Sequence, residues 1–147
     1  RSTTENLAGI AATAKALRLS MENLETFTTR TSKMKEIILE ELAKYPDVTI
    51  FSGIENFAPH ILTFGIKGVR GEVVVHAFEE YGIYVSTTSA CSSKAGKPAG
   101  TLIAMGVEKS LAQTAVRISL DADNDMSQME QFLTTFKIIY EKTRKVR

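Results

Sequence analysis

The first 45 residues carry an apolar row that only a helix can gather on one side. Leu7, Ile10, Ala14, Leu17, Met21, Leu24, Phe27, Thr31, Met34, Ile38 and Tyr45 recur at steps of three or four. Leu42 falls between the last two, and Thr31 is the one polar interruption. Ser2-Thr3-Thr4-Glu5 has the form of a capping box, Gly9 is the only breaker inside, and Pro46 closes the run. A helix of about 40 residues is long for a compact domain, so the pattern predicts a bend or break near Ser20–Asn23. Most of the stripe is expected to be core, and the rest asks for a surface beyond what this chain supplies.

After Pro46 the periodicity changes. Val48–Phe51 reads as a strand, followed by a polar loop to Pro59, a second strand over His60–Ile66 and a turn over Lys67–Gly71. Val73, Val74, Ala77, Phe78 and Tyr81 mark a short helix, with Gly82 placed to take a left-handed cap. Ile83–Val85 reads as a third strand. Ser86 to Gly100 is polar, rich in Gly, Ser and Lys, and without a period. Pro98 is suited to open a two-turn helix ending at Gly106. Thr114–Leu120 alternates, with Val116, Ile118 and Leu120 on one face and Ala115, Arg117 and Ser119 on the other. Asp125 precedes a last amphipathic helix that ends in Lys142, Arg144, Lys145 and Arg147, cations suited to a helix C-terminus. This order predicts an α+β domain: a small, mainly antiparallel sheet with helices packed on one face. There is no internal repeat. Residues 1–45 read as a helical entry segment and 46–147 as the α+β unit, in one domain.

Composition narrows the chemistry. The chain has 147 residues, enough for a core without staples, and a formal charge of +1, which argues against a polyanion partner such as nucleic acid. No run approaches the ~18 apolar residues of a bilayer span. One cysteine excludes a disulfide framework or a multi-thiolate metal site built by this chain alone.

That cysteine, Cys91, lies in Ser86-Thr87-Thr88-Ser89-Ala90-Cys91-Ser92-Ser93-Lys94-Ala95-Gly96-Lys97, a stretch with nothing to bury. Free cysteines are usually small core hydrophobes. One in such a loop is either incidental or a nucleophilic, sulfur-carrying thiol whose thiolate Lys94 and Lys97 favour. Arg117 is either a solvated outer-face residue or a bidentate clamp for a carboxylate, which a guanidinium suits better than an ammonium. His76 reads as a surface or packing residue of its helix; His60, at a strand start, reads either way. Neither forms a ligand spacing with Cys91, so no metal is expected, and Gly68 and Gly71 bracket a turn without a phosphate-loop pattern.

Ser89-Ala90-Cys91-Ser92-Ser93, then Pro98, Leu102, Met105-Gly106 and Val116-Arg117-Ile118-Ser119-Leu120, resemble the C-terminal part of NifS/IscS-type cysteine desulfurases, members of the class V aminotransferase group. Pro59-His60-Ile61-Leu62 matches that family's strand, Gly71-Glu72 its Gly-Glu helix start, and Arg1-Ser2-Thr3-Thr4-Glu5-Asn6 its Arg-Ser-Gly-Thr-Glu-Asn segment. The likeness runs through nearly the whole chain in the same order. It implies the small domain of a longer pyridoxal 5′-phosphate enzyme of the aspartate aminotransferase fold, with the helix entering it.

What the resemblance implies for function is specific. Cys91 takes the place of the nucleophile that accepts sulfur from L-cysteine as a persulfide, with L-alanine released. Arg117 takes that of the arginine binding the substrate α-carboxylate. Thr4 takes that of the threonine donating to the cofactor phosphate of the partner subunit in a homodimer. The sulfur acceptor would be a protein such as an iron–sulfur scaffold, and the compartment the cytoplasm, which keeps a thiol reduced. The Schiff-base lysine belongs to the family's large domain, and Lys94 and Lys97 do not sit in its motif, so these residues alone are expected to hold no cofactor and to turn nothing over.

There are departures. Thr88 and Thr3 stand where the family has glycine, exchanging a residue free to take positive φ for a β-branched one, and Thr63 stands where the family often has Asn. They leave open another class V aminotransferase or a selenocysteine lyase. From other classes come a non-enzymatic α+β binding or regulatory module, and a cofactor-free thiol hydrolase using His60 or His76, for which no orienting Asp or Asn presents itself.

Overall fold

A computed structural model describes residues 4–87 and 100–145. The first helix, α1, runs unbroken over Leu7–Leu42. The expected break near Ser20–Asn23 is absent because the polar side chains there are satisfied within the helix. Asn23 Nδ2 donates to the Leu19 carbonyl at 2.9 Å and Arg18 pairs with Glu22 at 3.5 Å. Nor does the helix start from a box at Ser2–Glu5: Asn6 is the N-cap, its Oδ1 accepting from Gly9 N at 3.0 Å.

Most of the stripe is not core, which corrects the sequence expectation. Met34, Ile38 and Leu42 are buried, whereas Leu7, Ile10, Leu17, Met21 and Leu24 are exposed. The reason is length. Leu7 precedes Thr31 by roughly 36 Å of helix axis, and the longest strand has only six residues. The polar interruption, Thr31, is buried with its hydroxyl donated to the Phe27 carbonyl at 2.8 Å.

Beyond α1 the chain forms β1 (Val48–Ile50), β2 (Ile61–Ile66), α2 (Gly71–Glu79), β3 (Ser86–Thr87), α3 (Gly100–Ala104), α4 (Lys109–Ala112), β4 (Ala115–Ser119) and α5 (Met126–Lys145). The strands make one antiparallel sheet in the order β1-β2-β4-β3. Its inner face carries Leu62, Phe64, Val116 and Ile118 against the carboxyl end of α1, α2 and α5. Aromatic pairs knit these layers: Phe78 stacks on Phe132 at 5.0 Å, and Phe64 meets Phe136 edge-on at 5.6 Å. The α+β sheet with helices on one face is therefore as expected. A smaller cluster of Phe51, Leu102, Ala112 and Ala115 lets α3 and the single-turn α4 cover one end of the opposite face.

The third strand is Ser86–Thr87 rather than Ile83–Val85, because Ile83 is committed to ending α2. Its amide donates to the Phe78 carbonyl at 3.1 Å while Gly82, at φ 71°, makes the left-handed turn anticipated for it. The start of α3 at Gly100 leaves Pro98 outside the described residues. At the other end, Asp125 caps α5 by accepting from Gln128 N at 2.8 Å.

Candidate functional site

Arg117 stands in the middle of β4 on the face away from the main core. Its ladder partners are Thr63 of β2 on one side and Ser86 of β3 on the other. The side chain is half-buried, and its Nε is fully buried without a hydrogen-bond partner among the described residues. A buried donor left unpaired costs about 1–3 kcal/mol, so this nitrogen marks a place built for an acceptor.

Around it lies a cavity of about 300 Å³, lined with Arg117 by Ser52, Phe57, Ala58, Thr63, Leu102 and Met105 among others. That volume suits an amino-acid-sized ligand. The Ser52 hydroxyl accepts from Thr63 N at 2.7 Å and Phe51 N donates to the Thr63 carbonyl at 2.8 Å, so the chain beyond β1 stays locked to β2 at the cavity wall. Opposite, the Gly53–Ala58 turn is exposed, with Asn56 at φ 62°. The arrangement offers a fork of donors for a carboxylate, three hydroxyl residues (Ser52, Thr63 and Thr101) and an apolar lining.

The placement of β4 depends on Gly71. Its amide donates to the Gln113 carbonyl at 3.0 Å, and a Cβ there would lie 2.5 Å from the Ala115 carbonyl oxygen. The Gly-Glu start of α2 is thus a close backbone approach that seats the helix on the strand carrying Arg117, not a demand for positive φ.

Of the sequence-predicted residues, Arg117 lies in this cavity. Thr4 does not; it is exposed ahead of α1, at the end remote from the sheet. Cys91, with Lys94, Lys97, Thr88 and Thr3, lies outside the described residues. The residues flanking that segment do border the site: Ser86 pairs with Arg117, Thr87 with Val116, and Thr101 lines the cavity. His76 is a surface residue, its Nδ1 2.8 Å from Glu79 Oε2. His60 packs its ring on Phe27 at 5.4 Å, with Nδ1 buried and unpartnered among the described residues. No group of three or more His, Cys, Asp or Glu among the described residues is arranged to hold a metal. Nor is any helix among them long and apolar enough to cross a membrane.

Sequence reasoning missed Ser52, whose value lies in a pairing made eleven residues away, and the Gly53–Ala58 wall. It also passed over Lys35, which shares the buried helix face with Thr31, Ile38 and Leu42. That periodic position was the available signal.

Comparison with known proteins places this architecture. The model of the family "Aminotransferase class-V" matches residues 1–132. A NifS/IcsS protein homolog of Lactobacillus delbrueckii subsp. bulgaricus is 45% identical over 147 residues, covering 99% of this chain and 38% of the relative. A cysteine desulfurase of a Nostoc species is 29% identical over 145 residues, covering 98% and 36%. The solved structure of a NifS-like protein superposes with a TM-score of 0.80 at 29% identity, over 96% of this chain and 35% of that one. Another, from Rickettsia africae, gives 0.77 at 29%, over 96% and 36%. The chain thus spans well under half the length of these relatives. With the family model matched over most of its length and NifS-like folds superposing on nearly all of it, the chain belongs to the class-V aminotransferase family, among relatives of the NifS/IscS type.

Proposed function

We propose that this chain is the carboxyl-terminal domain of a pyridoxal 5′-phosphate-dependent cysteine desulfurase, acting within a longer, homodimeric polypeptide. The observation that supports the reading is Arg117, whose side chain lines a cavity of amino-acid size and whose Nε has no hydrogen-bond partner among the described residues. Arg117 binds the α-carboxylate of L-cysteine, its planar fork fixing the substrate's orientation through charge-assisted hydrogen bonds. Phe57, Leu102 and Met105 give that ion pair an apolar side.

Cys91 is the nucleophile. It follows Thr87 by four residues, a length of chain spanning at most about 14 Å, so it stays within a short reach of Arg117's ladder neighbours. Its thiolate attacks the substrate sulfur. An S–S bond forms as the Cβ–S bond breaks, the electron pair passes to the former β-carbon, and protonation there gives L-alanine. Cys91 is left as a persulfide for transfer to an acceptor protein, such as a scaffold for iron–sulfur clusters. The cofactor, when bound, supplies the electron sink for that bond cleavage.

Thr4 fits the cofactor's phosphate held by the partner subunit. It is exposed two residues before the N-cap Asn6 of α1, where its hydroxyl is open to a ligand from outside the chain. Residues 1–147 alone turn over no cysteine in this reading.

The test is alanine and persulfide formation from L-cysteine by the full-length protein. Cys91→Ala is expected to abolish both, and Arg117→Ala to raise KM about 100-fold or more, the loss of a charge-assisted carboxylate clamp. Wild-type turnover in Cys91→Ala, or wild-type KM in Arg117→Ala, overturns the reading. The cytoplasm, where a reactive thiol stays reduced, is the compartment this chemistry favours.

A further inference from the structure

Behind the wall of the Arg117 cavity sits a second cation that the chemistry above does not use. Lys35, on α1, is 2% exposed, and no carboxylate among the described residues pairs with it. Burial holds its pKa below the ordinary lysine value. A methionine would fill the same space without the cost of desolvating an ammonium. The reason for a lysine therefore lies in what its ammonium touches.

It touches two residues of the cavity wall. Nζ donates to the Ala58 carbonyl at 3.0 Å and stands 5.7 Å over the Phe57 ring. Both residues line the Arg117 cavity. The turn that carries them has little else to hold it. Ile54 to Ala58 are exposed, the Phe57 ring lies on the Gly53 backbone side, and Ile61 N shares the Ala58 carbonyl at 3.3 Å. Lys35 ties this exposed turn to the buried end of α1, one of the most rigidly packed parts of the domain.

We propose that Lys35 is a positioning residue for the substrate carboxylate at Arg117. Its ammonium pins the Phe57–Ala58 wall that shapes the cavity. The proposal rests on the reading of Arg117 as the carboxylate site, and two readouts separate the two claims.

The first is the Arg117 Nε–H resonance of the cofactor-free full-length protein during titration with L-alanine. The second is KM against kcat for L-cysteine in the loaded enzyme. Lys35→Met is expected to weaken L-alanine binding and raise KM about tenfold, with kcat within about twofold and an unchanged or higher melting temperature. Lys35→Arg, which keeps a charged donor, is expected to recover most of that loss. Phe57→Leu tests the same link from the solvent side, at a position outside the core, with an expected rise of about threefold in KM.

If the Arg117 resonance ignores L-alanine in the wild type, the carboxylate reading fails and this proposal with it. If it responds equally in the wild type and in Lys35→Met, and KM is unmoved in both Lys35→Met and Phe57→Leu, the carboxylate site stands and the role given to Lys35 is overturned. A matching loss in Lys35→Arg and Lys35→Met also overturns it, since a charged donor at this position would then do nothing for the site.

Discussion

Gly71→Ala puts one methyl group into the tightest approach to backbone found at any glycine among the described residues. The added Cβ would lie 2.5 Å from the Ala115 carbonyl oxygen, 3.1 Å from its carbonyl carbon and 3.2 Å from the Thr114 oxygen. All three are backbone atoms of the β4 region, so no side chain can swing aside. Ordinary contact begins near 3.4 Å, leaving a deficit of about 0.9 Å that only lifting α2 can relieve. Two terms oppose each other. Alanine is favoured over glycine in a helix by about 1 kcal/mol in the interior, and by less at a first helical position. Overpacking a rigid contact costs about 1–3 kcal/mol, and lifting α2 also loosens Val74 and Phe78, both 0% exposed. Overpacking wins, by about 0.5–2.5 kcal/mol, equivalent to roughly 2–8 °C in melting temperature for a domain of this size. Thermal unfolding followed by far-UV circular dichroism reads the shift. Gly100→Ala is the control, because nothing among the described residues lies within 4 Å of a Cβ built there, and it is expected to be neutral or slightly stabilising. A Gly71→Ala protein that melts with the wild type, or a Gly100→Ala protein that falls equally, refutes the argument that Gly71 is required by packing.

Three further expectations rest on other parts of the fold. Phe136→Ala empties the centre of the aromatic layer between Phe64, Phe132 and Tyr140; denaturant unfolding is expected to show a loss of about 3–5 kcal/mol, and a loss under about 1 kcal/mol would contradict the packing described. Asn6→Ala removes the α1 cap, worth about 0.5–2 kcal/mol. Because the first turns of α1 are exposed, hydrogen exchange at Gly9 and Ile10 should quicken while the global melting point stays put. Burial lowers the Lys35 pKa from 10.5, so between its folded value and 10.5 the unfolded chain binds more protons and this group makes stability rise with pH. Lys35→Met should flatten that slope in urea titrations at alkaline pH, and an unaltered slope would show that Lys35 is not desolvated.

What could be read from the sequence follows from the range of the forces involved. The alternation of Val116 and Ile118 against Ala115 and Arg117 is a local pattern, and β4 obeys it. The same holds for Gly82, whose left-handed turn depends only on its neighbours. Expectations failed where a competing contact decides. Ile83 has strand character, but its amide is spent on the Phe78 carbonyl. Ser20–Asn23 looks like a break, but Asn23 and Arg18 find partners one turn away. The apolar stripe of α1 announces a partner surface without saying whose, and only its last third meets this chain's own core. The candidate site was half legible. Arg117 stood out as a charge on an alternating strand, whereas Ser52 and Lys35 owe their places to pairings 11 and 23 residues distant.

The two faces of β4 do opposite things, and the fold makes them compatible. Val116 and Ile118 are 0% and 6% exposed, inside a cluster with α1, α2 and α5 that secures the strand's position. On the other face the strand holds a guanidinium nitrogen that is buried and has no partner among the described residues, an arrangement that costs about 1–3 kcal/mol where it stays unpaired. A lone surface strand would rotate the side chain out to water. Here the ladder with Thr63 and Ser86 fixes the Cα, and the Phe51–Leu102–Ala112–Ala115 cluster, which reaches the strand at Ala115, two residues from Arg117, limits that rotation. The stability of one face is thus what allows the other to hold a guanidinium against the cavity. It also explains why the Gly71 approach matters to the site: α2 presses on β4 at Ala115, two residues from Arg117, so any lift of that helix moves the strand that carries the charge.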